Sequence, residues 1–247
     1  MKLKKIASLA LAGIMAVSML TACNTTGNTP DTGDDDQGTT TPVTGYSAKL
    51  GDEIAELSTI AGKAVTWSES SDLQSNLNYQ VGNVGYNALT ESFLKSLSGG
   101  QVQYVGRTWR NPGIVTTVIS ELQSDMNAEV DSLNVTTSYD AIAGLTPNGS
   151  NYEADDYNTV MLFVVDNGVD LNNAMDQISK EIVRAVQDLD DDFNAPAGNP
   201  DPDYNNMHTM NVDYEYTGSV ATCTKTFESG HGVGVSFIAV EIVRHIA

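Results

Sequence analysis

The sequence predicts a single α/β domain, a sandwich of helices on a mixed sheet that ends in a long β-hairpin, with an α+β arrangement as the alternative. Three observations carry that expectation. Val115, Ile119, Leu122, Met126, Val130 and Leu133 form one apolar stripe at helical spacing, and Leu171, Met175, Ile178, Ile182, Val186 and Leu189 form a second. The run Val160 to Val165 is apolar at every position, as in a strand covered on both faces. Near the C terminus, Val212, Tyr214 and Tyr216 alternate with Asp213, Glu215 and Thr217, the period of a half-buried strand.

Taken in chain order, Leu50 to Ile60 and Ala88 to Leu97 read as helices, while Val65 to Val84 is ambiguous. Val102 to Val105 is a short β-like run. The helix over the first stripe starts after Pro112-Gly113, and the second starts behind Asp170, whose side chain suits an N-cap. Each stripe follows a β-like run, but any two amphipathic helices align in this way, so no duplication is inferred. Val160 to Val165 is expected at the centre of the sheet. Pro147-Asn148-Gly149-Ser150 and Ala195 to Asn206 are loops by composition. The hairpin's second arm runs from Val233 to about Ile246 after Glu228-Ser229-Gly230-His231-Gly232, and Gly218 marks an expected bulge in the first arm.

Composition excludes several functions. The 247 residues carry 32 acids against 12 Lys plus Arg, a formal charge of −20, so a phosphate backbone is repelled and nucleic acid is not a partner. Past residue 25 the longest apolar run is Val160 to Val165, far below the ~20 residues of a membrane-spanning helix.

The first 22 residues have a basic start (Lys2, Lys4, Lys5), an apolar stretch from Ile6 to Leu20 and a short end before Cys23, the layout of a secretory signal peptide. Leu20-Thr21-Ala22-Cys23 resembles the lipobox of bacterial lipoprotein precursors. The resemblance implies cleavage before Cys23 and a diacylglycerol on its sulfur. From Asn24 to Gly45 the chain holds eight Thr, four Gly, four Asp, two Pro and one apolar residue, Val43, too little to offset ordering entropy. Residues 23–45 therefore read as the lipidated cysteine and a tether about 25 Å from end to end, and 46–247 as the folded domain. Signal, lipobox and tether together resemble those of surface lipoproteins of Gram-positive bacteria, which implies anchoring through Cys23 on the extracytoplasmic face of the membrane. Signal removal takes three lysines and no acid, so attachment rests on acyl chains and not on a basic patch.

For chemistry in the domain, no G-x-S-x-G, H-E-x-x-H, P-loop or paired C-x-x-C is present. Arg107-Thr108-Trp109-Arg110-Asn111-Pro112-Gly113 joins a strand to a helix N-terminus, where guanidinium groups and free backbone N–H groups grip anions. Arg107, Trp109 and Arg110 are the candidate ligand-binding residues, and pairing of both arginines with acids such as Asp166 or Asp170 is the plainer alternative. Asp188, Asp190, Asp191 and Asp192 crowd a helix C-terminus whose dipole they oppose. Asp188, Asp190 and Asp192 are candidate calcium ligands, although Phe193 stands where an EF-hand has glycine and a solvated acidic patch is the default. No other cofactor is expected. His208, His231 and His245 fall in three elements without ligand spacing, and Cys223 reads as a small buried hydrophobe. The expectation is a binding module for a protein or small anionic ligand and not a catalyst. The rivals are a surface hydrolase using Asp166 and Asp170 with His231, or an envelope protein that assembles through the hairpin edge.

Overall fold

The computed structural model describes residues 40–43, 45–58, 65–85, 91–106, 113–131, 134–148, 151–153, 155–194, 211–226 and 234–247, all within the compact unit Asp36–Ala247. In chain order the described elements are β1 (Thr40–Val43), α1 (Tyr46–Leu57), β2 (Val65–Trp67), α2 (Ser71–Gly82), α3 (Glu91–Leu97), β3 (Gln103–Tyr104), α4 (Gly113–Asp125), α5 (Ser138–Ala143), β4 (Asp156–Asp166), α6 (Leu171–Gln187), β5 (Asp192–Asn194), β6 (Asn211–Thr226) and β7 (Gly234–Ile246).

The strands form one mixed sheet in the order β1-β6-β7-β4-β3, with β2 and β5 also on β6. β7 is the middle strand. It pairs antiparallel with β6 from Tyr214↔Ile246 to Thr226↔Gly234 and with β4 from Asp156↔His245 to Asp166↔Val235. Side chains alternate across this sheet, and each face carries its own core. Met161, Phe163, Val165, Ile238, Val240, Ile242, Tyr214 and Tyr216 meet α1, α5 and α6 on one face. Val160, Leu162, Val164, Val235, Phe237, Ala239, Ala221 and Cys223 meet α2, α3 and α4 on the other. The predicted α/β sandwich with a mixed sheet and a long C-terminal hairpin is the fold.

Several expectations are corrected. β4 is apolar on both faces as foreseen, but β7 and not β4 holds the centre, because the hairpin inserts between β4 and the N-terminal strands. The first stripe stops being helix at Asp125. Asn127 takes a left-handed φ of 49°, a conformation asparagine tolerates and a common helix stop. Val130 then makes a parallel bridge to Thr159. The stripe continued because burial continued, not the helix. The second stripe is α6, capped by Asp170, whose side chain accepts from the Asn172 N–H at 2.7 Å. Val65 to Val84 divides into β2 and α2, the latter capped by Ser70 through the Leu73 N–H at 3.1 Å. The tether expected up to residue 45 ends earlier, since Thr40–Val43 pairs with Lys225–Thr222. Gly218 lies in unbroken register with Ile242 and makes no bulge. Its missing side chain instead admits Trp67, whose Cε3 would sit 2.6 Å from a Cβ there.

Among the described residues, β4 covers β7, while β5, β2 and β1 cover much of β6 in succession at 211–213, 216–218 and 222–225. Among the described residues, no helix is long and apolar enough to cross a membrane.

Candidate functional site

Cys23, Arg107, Trp109, Arg110, His208 and His231 lie outside the described residues. The acidic cluster lies within the described residues. α6 ends at Gln187, so the acids follow the helix. Asp188 accepts from the Tyr139 hydroxyl at 3.0 Å and lies 3.8 Å from Arg184. Asp192 belongs to β5, opposite Asp213. Burial, and then Asp192, pushes the Asp190 carboxyl up, while Arg244 pulls it down. Among the described residues no three His, Cys, Asp or Glu side chains form a group that could hold a metal ion.

Arg244 is the residue that the sequence reading passed over. It is fully buried, donating to the Leu145 carbonyl at 2.5 Å and to the Asn151 carbonyl at 2.6 Å. Its guanidinium carbon lies 4.9 Å from the Tyr157 ring centre and 4.7 Å from that of Tyr214. A buried cation costs several kcal/mol unless polar groups replace its water. Here carbonyls and ring faces do so at the terminal nitrogens, while the buried Nε has no hydrogen-bond partner. Its signal was parity: Ile238, Val240, Ile242 and Arg244 point to one face.

On the opposite face at this end of the sheet, polar residues from three adjacent strands form a strip. His245 of β7 lies between Asp156 of β4 and Thr217 of β6. Its Nδ1 is 2.5 Å from Asp156 Oδ1 and its Nε2 is 2.8 Å from Thr217 Oγ1. A carboxylate only accepts, so Nδ1 carries the proton in this bond. In the neutral ring Nε2 then accepts from the Thr217 hydroxyl. The His245 side chain is 35% exposed and that of Asp156 72%, so solvent reaches the group.

One step further in, Glu241 is buried. It accepts from Ser219 Oγ at 3.1 Å and from Asn158 Nδ2 at 3.4 Å. Burial pushes its carboxyl above the ordinary range, against those two hydrogen bonds, which favour the ionised form. Asn158 also donates to the Met126 carbonyl at 3.1 Å and accepts from the Glu129 N–H at 3.1 Å, tying the strip to the turn after α4. A groove of about 460 Å³ beside that turn is lined by Gln123, Asn127, Glu129 and Asp131 among others, without a basic side chain.

The acids named for a hydrolase make local backbone contacts at the other end of β4: Asp166, its last residue, accepts from the Gly168 N–H at 2.8 Å, and Asp170 caps α6. The acid–histidine pair occurs instead at Asp156 and His245, 89 residues apart, a juxtaposition that only strand register reveals. Cys223 is buried as expected, and burial pushes its thiol up to about 11, which leaves it protonated and unreactive at neutral pH. Lys225, also buried, donates to the Val81 and Gly82 carbonyls at 3.2 and 2.8 Å and so closes the C-terminus of α2. No protein-family model, no curated protein and no solved structure matches the chain.

Proposed function

We propose that the chain is a lipid-anchored protein of the extracytoplasmic membrane face, and that its α/β domain is a binding module presenting the His245 end of its sheet to a ligand. The observation that carries the anchor is the basic and apolar leader closing on Leu20-Thr21-Ala22-Cys23. Exposure supports that end as the ligand face: the His245 side chain is 35% exposed and that of Asp156 72%.

Metabolic labelling with a tagged fatty acid tests the anchor: the label goes on the wild type and not on Cys23→Ser, which is released from the membrane. Labelling that survives Cys23→Ser overturns it. Thermal unfolding of the full chain in detergent, against neutral, cationic and anionic envelope components, tests binding. A rise in midpoint lost in Glu215→Lys supports the His245 end. A rise with anions only, lost in Arg107→Ala/Arg110→Ala, assigns the site to the arginine loop instead.

A further inference from the structure

We propose that Thr217, His245 and Asp156 form an acyl-transfer centre that hydrolyses carboxylic esters bearing no negative charge. The proposal rests on the reading that this end of the sheet faces the ligand, and it adds turnover to it. A hydroxyl, an imidazole and a carboxylate are joined in that order at 2.8 and 2.5 Å, with the imidazole proton on the carboxylate side. That is the chain of roles by which a weak nucleophile is activated. The three groups come from three paired strands of one sheet, so the backbone ladder fixes their separation. Side-chain exposure at His245 and Asp156 leaves the group open to a substrate.

In the first half-reaction Thr217 Oγ bonds to the ester carbonyl carbon as its proton moves to His245 Nε2. The carbon–alcohol bond then breaks, and the leaving oxygen takes that proton. In the second half, water attacks the acyl-Thr217 carbonyl and gives its proton to His245. Thr217 Oγ leaves with that proton, so one ester and one water become one acid and one alcohol. Asp156 is a positioning residue, holding the tautomer whose Nε2 is free to accept. The N-terminal turn of α2 brings the positive end of a helix dipole to this part of the sheet. Trp67, which pairs with Gly218, precedes the Ser70 cap by three residues, and Asp72 acts on Glu241 through its charge. Substrate charge follows from the surroundings. Asp155, Asp156, Asp213 and Glu215 are all exposed at this end, and Glu215 is paired with His245 across the ladder. That field repels anions and gathers cations.

The test uses the full chain in detergent with three p-nitrophenyl esters that share one leaving group: the 4-(trimethylammonio)butanoate (cationic), the butanoate (neutral) and the monosuccinate (anionic). The expected kcat/KM falls in that order, the spread narrowing at high salt, with the corresponding acyl group trapped on Thr217 by acid quench and mass spectrometry. Thr217→Val and His245→Gln should each lose about 100-fold or more, while Thr217→Ser stays active. Asp156→Asn should lose activity and alter the pH profile, and Asp156→Glu should restore part of both. Thr217→Val keeps ligand-induced stabilisation if the binding reading holds, so loss of turnover and loss of binding are read separately. The proposal is overturned if Thr217→Val turns over as fast as wild type. It is equally overturned if folded wild type releases no more product than His245→Gln and carries no acyl group on Thr217.

Discussion

The guanidinium carbon of Arg244 sits 4.7 Å from the centre of the Tyr214 ring, in a site closed to solvent. The pair is held from both ends: Arg244 donates to Leu145 and Asn151, and the Tyr214 hydroxyl donates to the Tyr152 carbonyl at 2.8 Å. Replacing Arg244 by Ala leaves two carbonyls without donors and a large void. The expected cost is about 3 kcal/mol or more. Arg244→Lys should recover only part of it, because a single ammonium lacks the planar fork. Urea unfolding of the three proteins measures this, and an Ala variant as stable as wild type would contradict it.

Glu241 predicts a pH dependence of stability. Its folded carboxyl titrates above the ordinary value because it is buried, so between those two values the folded state holds a proton that the unfolded state has released. Stability from this group is complete below the ordinary carboxylate range, about pH 4, and is lost as pH rises through the raised value. Glu241→Gln has no such loss. The variant's stability relative to wild type should therefore improve from acid to neutral pH, as read by urea melts across that range. A difference that stays constant with pH would show that burial does not perturb this carboxyl.

Trp67 occupies space that two glycines vacate. A Cβ at Gly51 would lie 2.6 Å from its Cδ1, and one at Gly218 2.6 Å from its Cε3. Gly218→Ala should cost about 1–3 kcal/mol by forcing the indole aside. In a Trp67→Leu background the same change should cost much less. Equal costs in the two backgrounds would mean that the indole is not what excludes the methyl group.

Asp170→Ala removes the oxygen that holds the Asn172 N–H at the start of α6. The expected loss is about 1 kcal/mol, a midpoint lowered by about 2–4 °C in a domain of this size. Asp170→Asn should keep most of the stability, and differential scanning calorimetry separates the two. An Ala variant melting with wild type would remove the cap from the account of this helix.

What could be read before folding was local. α6 announced itself by a stripe and a cap within one segment, and the hairpin by alternation along its first arm and the apolar run of its second. The end of α4 was missed because periodicity reports buried side chains, and Val130 is buried in a bridge as well as it would be in a helix. β1 and β5 were missed for the opposite reason: β5 is Asp192-Phe193-Asn194, with almost no apolar content, and pairing to β6 is what makes it a strand. The polar strip depends on register between β4, β6 and β7. Nothing in the spacing of Asp156, Thr217 and His245 along the chain brings them together, whereas Arg244 left a trace as a charge at an inward position of an apolar strand.

The way β6 is bordered determines when the sheet can close. Thr40 pairs with Lys225 and Val65 with Tyr216, and β4 completes its ladder only on β7. The strands that come earlier in the sequence therefore have no partners until β6 and β7 are in place. Closure of such distant pairs is slow and exposes apolar strand faces meanwhile. A chain cut before β6 should therefore behave as a substrate for chaperones and proteases and not as a smaller folded domain.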